Sequence, residues 1–471
     1  MLFNSAIFLV FALLFFGLWQ FVKERTNARL FLITAASFLF YGWWDWRFLF
    51  LIIGSGLLDY FVGLMLLKFP DRRKLFMLVS IFGNIGSLAA FKYSGFVFGN
   101  IDILLSHFGF DVCLKCNIPD FMLITPVGIS FYTFQSMSYT IDIYKNNLKP
   151  TKNILQFFAY LSMFPQLVAG PIVRAKDLLP QLLKIPNTTE AVRWAGLRLI
   201  VHGYFKKMVL ADNLAPLVNQ AFVHENMSTS TLYWWVIITA FAFQIYFDFS
   251  GYSDIARGLA KWMGLEFNLN FNHPYTSLSL KEFWTRWHIS LSTWFKDYVY
   301  IPLGGSRGKK WKSNLNMWIT MVVSGLWHGA NWTFVIWGAI HAFFLNLERV
   351  FNWPKYLLNN RITRILLVLI ITMQVWVAWV FFRADDVSQA FYILGKMFSF
   401  NSNFYTPLNF GNYLLISLGI FREIWIYHKI DKSRFYPQKW GFAVDVFLMA
   451  IFIVLIVFLR GSGNEFIYFQ F

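Results

Sequence analysis

The sequence predicts an all-α protein that crosses a membrane many times. Of its 471 residues, 57% are hydrophobic and only 14% are charged, with a mean hydropathy of +0.50. Soluble globular proteins carry about 25% charged residues, so one aqueous core is too small to bury the apolar side chains of this chain. Apolar runs of about 20 residues, long enough to cross a bilayer as helices, recur along the sequence. Soluble, disordered and fibrous classes are excluded.

The charge of the chain is strongly basic. Lys and Arg number 41 against 24 Asp and Glu, a formal net charge of +17. Such an excess is compatible with nucleic-acid binding, but here the basic residues fall in the short gaps between apolar runs, which is typical of cytoplasmic loops. We therefore expect membrane lipid to surround the protein and expect no nucleic-acid partner.

The first third of the chain has a regular pattern. Its apolar runs lie near residues 2–22, 30–44, 48–67, 75–93 and 121–140. The loops after the first, third and fifth runs are basic, with Lys23, Arg25, Arg29, Lys68, Arg72, Arg73, Lys74, Lys145, Lys149 and Lys152. The positive-inside rule therefore predicts an extracytoplasmic N-terminus. The first run has no basic segment before it and no small-residue cleavage site after it, so we interpret it as a retained span.

The middle of the chain is less regular. The apolar stretch over 154–169 contains Pro165 and ends at Gly170 and Pro171, which predicts a re-entrant segment. Irregular backbone at membrane depth is tolerated only where protein or a water-filled cavity covers it, so we expect an internal chamber.

Further apolar runs follow to the end of the sequence. They lie near residues 232–249, 315–334, 335–348, 364–382, 410–427 and 442–459. The total is about eleven or twelve spans by length and hydropathy. We predict one membrane domain over 1–471, with regular helices over 1–150, a catalytic core over 151–350 and C-terminal helices over 351–471.

Cys113 and Cys116 are the only cysteines in the sequence. Two cysteines cannot supply a four-thiolate metal site or a disulfide framework. In a loop predicted to be extracytoplasmic, this spacing indicates a local disulfide or two inert thiols rather than redox catalysis. We expect no bound metal.

Segment 279–307 predicts one amphipathic helix. Ser279 and Glu282 match a capping box, and Pro302 followed by glycines ends the helix. Apolar residues at helical spacing form one side, namely Trp287, Leu291, Trp294 and Tyr298. Polar residues at the same spacing form the other, namely Arg286, Ser290, Thr293 and Asp297. The helix either lies in the membrane interface, anchored by His288, or lines a chamber.

Segment 315–340 is apolar except for one ionisable residue, His328. A buried ionisable group within the membrane is costly, and by default it indicates function. Asn331 lies three residues later, where we expect it to share a helical face and fix the imidazole tautomer, and Trp327 offers an indole N–H. The structural alternative is a histidine that bonds to a neighbouring helix beside close-packed glycines.

Other polar residues are less informative. Arg307, Lys309 and Lys310 follow two glycines and suit a phosphate group, but a helix stop before a positive-inside loop accounts for the same residues. We interpret His202, His341 and His428 as structural. The acids Asp59, Asp142, Asp248 and Asp254 suit either a proton relay of a transporter or ion pairs between helices.

Long tryptophan-rich strings resemble the membrane-bound O-acyltransferase family, most closely the branch of the alginate O-acetylation membrane protein. The strings are YGWWDWRFLFLI at 41–52, GISFYTFQSMSYTIDIY at 128–144, FPQLVAGPIVR at 164–174, FDFSGYSDIARG at 247–258, RWHISLSTWFKDYVYIPLGGSR at 286–307 and LWHGANW at 326–332. The similarity covers nearly the whole chain, so it implies a ring of transmembrane helices around a central funnel. It also implies that His328 is the catalytic histidine and His288 its polar partner, with Asn331, Asp297 and Trp327 in support.

The resemblance further implies the reaction and its participants. The acyl donor is a cytoplasmic thioester, acetyl-CoA or a carrier-protein phosphopantetheine thioester, and no cofactor stays bound. The acyl group passes to an extracytoplasmic SGNH-hydrolase-like acetyltransferase partner and then to a polysaccharide acceptor, which implies a bacterial cytoplasmic membrane. Alginate, cellulose, a capsule, peptidoglycan and teichoic acid remain possible acceptors. The alternatives to acyl transfer are a transporter or flippase of a polysaccharide export system and a noncatalytic scaffold.

Overall fold

The computed structural model describes residues 1–168, 170–185, 188–223, 228–358, 360–401, 410–427, 441–461, 463, 466 and 467. Within these residues the regular structure is helical, and no β-strand is present, which confirms the all-α prediction. His428 lies outside the described residues.

The N-terminal half contains thirteen α-helices in the described residues. They are α1 (Ala6–Val22), α2 (Thr26–Asp45), α3 (Leu49–Lys68), α4 (Arg73–Leu88), α5 (Ser94–His107), α6 (Asp120–Leu123), α7 (Ile129–Tyr144), α8 (Ile154–Leu161), α9 (Phe164–Leu167), α10 (Ala175–Leu183), α11 (Glu190–Tyr204), α12 (Asp212–Ala221) and α13 (Thr231–Trp262). Short π-helical segments follow α4 and α11, at Ala89–Tyr93 and Phe205–Ala211.

The C-terminal half continues with nine α-helices among the described residues. They are α14 (Leu280–Arg286), α15 (Ile289–Phe295), α16 (Lys310–His328), α17 (Trp332–Phe351), α18 (Trp353–Leu357), α19 (Arg361–Arg383), α20 (Val387–Met397), α21 (Phe410–Tyr427) and α22 (Gly441–Leu459). A π-helical segment, Lys296–Tyr300, extends α15.

Several stretches are long and apolar enough to span a membrane, which confirms a multi-pass protein. Among the described residues these six are Thr26–Lys68, Pro70–His107, Thr231–Trp262, Trp332–Phe351, Arg361–Arg383 and Gly441–Leu459. The first two contain two helices each, and the shorter apolar helix α1 precedes them. Fewer helices qualify than the eleven or twelve expected, because runs such as 121–140 are divided between shorter elements such as α6 and α7.

The chain forms two compact units. The first comprises Met1–Ile200 and Ala256–Asn268, and the second comprises Val201–Ile255 and Leu269–Phe471. The predicted internal boundaries near 150 and 350 stay predictions.

In the first unit, α3, α4 and α7 pack around a buried carboxylate. Asp59 on α3 accepts hydrogen bonds from Ser80 at 2.5 Å and Asn84 at 2.7 Å on α4, and another from Ser136 on α7. Three neutral hydrogen-bond donors therefore compensate the burial of Asp59. An ion pair was one of the two arrangements expected for this acid, and these contacts are of a different kind. A buried polar network of this kind fixes how the three helices pack.

The segment expected to be re-entrant lies in the interior of the first unit. Its apolar run is divided into α8 and the short helix α9, which has Pro165 as its second residue. The backbone N–H of Phe164, the first residue of α9, donates to Ser37 Oγ at 3.0 Å. Protein groups thus satisfy the backbone where the helix is interrupted, as irregular structure inside a membrane protein requires.

The exposed loop after α5 contains a disulfide between Cys113 and Cys116. This agrees with the first of the two states expected for these cysteines. Asp102 on α5 accepts hydrogen bonds from the backbone N–H groups of Leu114 and Lys115, at 2.7 and 2.9 Å, and so fastens the loop to its helix.

In the second unit, two neighbouring lysines form ion pairs with three acids. Lys207 lies 2.8 Å from both Asp212 and Asp248, and Lys206 lies 2.7 Å from Asp254. The expectation that Asp248 and Asp254 pair with basic residues is confirmed. Because the partners neutralise these carboxylates, the scattered acids are better explained by packing than by a transporter's proton relay.

The prediction of a single helix over 279–302 is wrong. Ser279 does cap a helix, accepting from the Glu282 N–H at 2.9 Å, but this helix, α14, ends at Arg286. His288 then takes a left-handed conformation with φ +41°, and α15 begins at Ile289. Asn270 causes the break, because its backbone oxygen accepts from Ile289 N–H at 2.9 Å and its side chain accepts from Ser290.

Candidate functional site

The hairpin of α16 and α17 in the second unit positions His328. Gly325 on α16 and Gly338 on α17 let the two backbones touch, since a methyl group at either position would overlap a carbonyl oxygen of the other helix. Small residues allow this close approach between membrane helices. His328 is the last residue of α16, so the backbone contact of the hairpin fixes where its imidazole lies.

The expected role of Asn331 depends on a geometry that the structure does not have. The helix ends at His328, Gly329 is extended, and α17 begins at Trp332, so Asn331 and His328 do not share a helical face. The Asn331 side chain instead accepts from Thr333 N–H at 3.2 Å as the cap of α17 and donates to the Asp385 carbonyl at 2.9 Å. Gly329 ends the helix earlier than the apolar pattern indicated.

Aromatic rings enclose the His328 imidazole, which is only 4% exposed. The rings of Trp327, Trp337 and Phe382 lie 5.0, 5.0 and 5.1 Å from it, centroid to centroid, each close to perpendicular. Such an enclosure excludes bulk water and strengthens electrostatic interactions inside it.

His288 is also fully buried, in the turn between α14 and α15. The rings of Phe249 and Phe271 lie 4.5 and 6.1 Å from its ring. This turn is outside the six membrane-spanning stretches, and burial lowers the pKa of His288 to about 3. The ring is therefore neutral at neutral pH and can both donate and accept a hydrogen bond.

Trp327 lies between the two histidines predicted to be catalytic. Its ring is 6.1 Å from that of His288 and 5.0 Å from that of His328. The structure therefore brings His288, Trp327 and His328 into one cluster, although forty residues separate the two histidines in sequence.

The remaining predicted residues lie elsewhere in the second unit. Asp297 is in the π-helical segment after α15 and is half-buried. Arg307 and Lys309 are exposed in the loop before α16, and Lys310 is the exposed first residue of α16. Because α16 has 19 residues, about 27 Å of helix separates this loop from His328.

Two residues that the sequence analysis did not assign to the site support the elements around the cluster. His341, interpreted as structural, has its ring 4.8 Å from Trp337 and 4.9 Å from Trp284. The helical spacing of Trp337 and His341 was a signal for this proximity. Glu348, one of the acids in an apolar run, accepts hydrogen bonds from the backbone N–H groups of Leu280 and Lys281, at 2.6 and 3.2 Å, and caps α14. His202 instead packs 4.9 Å from the ring of Phe452.

A cavity of 160 Å³ borders the residues that hold His288. Lys206, Tyr246, Ser250, Ser253, Asp254, Leu269, Asn270, Phe271 and His273 line it. Its lining combines an ion pair, hydroxyls and an amide with aromatic faces, as in many small-molecule sites. Within the described part of the chain, no three His, Cys, Asp or Glu side chains form a group that could hold a metal ion.

Comparison with known proteins decides the family. Residues 144–353, which include both clustered histidines, match the membrane-bound O-acyltransferase family. The chain is 38% identical over 425 residues to a protein named probable alginate O-acetylase AlgI from Pseudomonas aeruginosa, covering 89% of this chain and 79% of that protein. The chain belongs to the membrane-bound O-acyltransferase family. It is therefore an O-acyltransferase of the membrane.

Two further relatives carry different names. The chain is 34% identical over 435 residues to a peptidoglycan O-acetyltransferase from Helicobacter pylori, with 85% of this chain and 80% of that protein covered. It is 32% identical over 253 residues to a teichoic acid D-alanyltransferase from Streptococcus thermophilus, with 50% and 60% covered. These names differ in acyl group and in acceptor.

Proposed function

We propose that this membrane-bound O-acyltransferase moves an acetyl group from a cytoplasmic thioester across the bacterial cytoplasmic membrane, for O-acetylation of an extracytoplasmic polysaccharide. The observation that carries this proposal is the burial of His328 among aromatic rings at the end of α16. Membership of an acyltransferase family gives the reaction class, and relatives named for alginate and peptidoglycan acetylation support an acetyl group and a polysaccharide.

His328 would act as the general base. An acceptor hydroxyl attacks the thioester carbonyl carbon while a ring nitrogen of His328 takes the hydroxyl proton. The C–S bond then breaks, and the proton passes from the imidazolium to the departing thiolate. A positioned general base contributes about 10²–10⁴-fold to such a reaction. Holding donor and acceptor together in the cluster supplies a further part of the rate.

His288 would position the reacting groups rather than carry the proton. It is neutral and buried, and Trp327 connects its ring to that of His328. A neutral imidazole in such a place can polarise a carbonyl or hold a hydroxyl by one hydrogen bond.

The donor would enter from the cytoplasmic side, as acetyl-CoA or as a carrier-bound phosphopantetheine thioester. The exposed loop with Arg307, Lys309 and Lys310 would attract its phosphates. Since α16 places this loop about 27 Å from His328, the thioester would reach the site on a long, slender arm. The polar cavity next to His288 offers hydrogen-bonding groups along such a path.

On the other side, the acetyl group would pass to an SGNH-hydrolase-like partner that modifies the polysaccharide. The extracytoplasmic N-terminus that the alternating basic loops predict supports this direction. A site reachable from both faces of the membrane serves both substrates without moving the protein.

The test is thioester consumption by purified protein in liposomes, with acetyl-CoA on one side and the partner protein with polysaccharide on the other. Wild type should release CoA only when an acceptor is present, and His328→Ala should lose at least about 10²-fold in rate. His202→Ala is the matched control, since His202 packs against Phe452 away from the cluster. A His328→Ala rate within twofold of wild type would remove this histidine from the mechanism. Movement of a sugar or lipid without thioester consumption would favour a transporter instead.

A further inference from the structure

One face of α17 carries a row of buried polar atoms. Thr333, Trp337 and His341 are spaced by four residues, and we call them the α17 stripe. The stripe extends for about 12 Å along the helix. Thr333 and Trp337 are fully buried, and His341 is 1% exposed.

The polar atoms of the α17 stripe have no hydrogen-bond partner among the described residues. This applies to Thr333 Oγ1, to the indole N–H of Trp337 and to both ring nitrogens of His341. The buried indole N–H groups of Trp284 and Trp379, whose rings lie 5.7 and 6.1 Å from Trp337, share this property.

Leaving so many buried groups unsatisfied is costly. Each such donor or acceptor costs about 1–3 kcal/mol, whereas a whole domain is stable by only about 5–15 kcal/mol. Edge-on contacts between these rings offset only a little of that cost. Two other indoles of the second unit, those of Trp234 and Trp376, are satisfied, since they donate to Ser228 O and Thr239 Oγ1 at 2.8 and 2.9 Å. The unsatisfied indole N–H groups of Trp284 and Trp379 therefore lie around Trp337, whose own ring contacts His328.

The chemistry of these atoms selects the ligand. An indole N–H can only donate, and neutral histidine adds one donor and one acceptor. These atoms are mainly hydrogen-bond donors, and they lie among aromatic rings. A ligand that suits them carries an acceptor without a charge, such as a carbonyl oxygen. Trp337 is the member of the α17 stripe whose ring contacts His328, at 5.0 Å.

We propose that the α17 stripe is the acyl-carbonyl binding site, in which the Trp337 N–H donates to the carbonyl oxygen of the acyl group. This inference rests on the proposed function. When the acceptor oxygen attacks the carbonyl carbon, that oxygen becomes negatively charged, and the indole stabilises it until the C–S bond breaks and the thiolate leaves. His341 holds the Trp337 indole in place and is a positioning residue.

The test replaces Trp337 by phenylalanine, or by benzothienylalanine, which keeps the bicyclic shape and removes only the N–H. Both variants should lower kcat by about 10²-fold, the usual effect of losing one oxyanion donor, and leave the KM for the acceptor unchanged. The thermal midpoint of the benzothienylalanine variant should stay the same or rise, because the N–H removed had no protein partner. The phenylalanine variant also leaves a cavity, which lowers its thermal midpoint.

Trp234→Phe is the control, since it removes an equally buried N–H that does have a protein partner. It should lower the thermal midpoint and leave kcat per folded molecule unchanged. Unchanged kcat in both Trp337 variants would overturn the inference, as would a loss of activity in the benzothienylalanine variant that is matched by a lower thermal midpoint. If wild type itself consumed no thioester, the proposed function would fail first, and that result differs from either outcome.

Discussion

The carboxylate of Glu348 accepts the backbone N–H of Leu280 at 2.6 Å, which joins the far end of α17 to the first turn of α14. Because α14 leads directly into the turn that holds His288, this contact acts on the site from a distance. It places a negative charge at a helix N-terminus, where the helix dipole favours it.

Replacing Glu348 by alanine should lower both the thermal midpoint and kcat. The buried N–H of Leu280 would lose its acceptor, at about 1–3 kcal/mol, and the partly buried N–H of Lys281 would lose its acceptor at a lower cost, because water can reach it. Glu348→Gln should recover most of the stability, because its amide oxygen still accepts. Measurements in detergent should include Glu266→Ala, which removes an exposed ion pair with Lys261 and should have no effect. If Glu348→Ala lowered the thermal midpoint and kcat no more than Glu266→Ala does, the positioning role of Glu348 would be contradicted.

Stability should depend on pH through His288. Burial holds the pKa of its imidazole near 3, well below the ordinary value of 6.5. At a pH between these two pKa values, the His288 imidazole binds a proton in the unfolded chain but not in the folded protein. The free energy of unfolding therefore falls as pH drops below about 6.5.

The variant His288→Asn isolates this effect, since asparagine tolerates the left-handed conformation found there. The thermal midpoint of wild type should fall between pH 7 and 5 more steeply than that of the variant. Parallel curves for the two proteins would mean that His288 is accessible to protons in the folded state.

Donor affinity should depend on salt through the loop before α16. Changing Arg307, Lys309 and Lys310 to glutamine should raise the KM for acetyl-CoA at low salt more than at high salt, because salt screens exposed charges. The control changes three exposed basic residues of the first unit, Lys68, Arg72 and Lys74, to glutamine. A similar rise in KM in the control would indicate general attraction by the surface rather than a donor site.

The orientation of the chain can be measured by cysteine labelling. After Cys113 and Cys116 are replaced by serine, Lys149→Cys should react only from the cytoplasmic side and Ser106→Cys only from outside. Both positions are exposed, so failure to label is not explained by burial. Labelling of the two from the same side would contradict the predicted topology.

Hydropathy predicted many of the helices, and a single ionisable residue in an apolar run pointed to His328. Long apolar runs became helices because a 20-residue apolar stretch has no other stable arrangement in lipid. His328 was identifiable as the one ionisable group in its run, and the structure indeed encloses it among aromatic rings.

Prediction from the local sequence pattern failed where residues distant in sequence determine the backbone conformation. The spacing in 279–302 suits one helix, yet Asn270, which precedes it in sequence, caps a second helix at Ile289. Asn331 appeared to follow His328 on a helix, but Gly329 ends that helix. The sequence analysis did not assign His341 to the site, because its aromatic neighbours lie on α14 as well as on α17. Only the folded structure brings these two helices together.

The touching glycines of α16 and α17 also determine how the enzyme responds to its surroundings. Since Gly325 and Gly338 bring backbone against backbone, no side-chain rotamer stands between the two helices at that level. Changes in lipid composition or bilayer thickness act on lipid-facing side chains and on helix tilt, and we expect two helices in such close backbone contact to move together. The imidazole of His328 should therefore keep its distance from Trp337 while the surrounding helices adapt to different membranes.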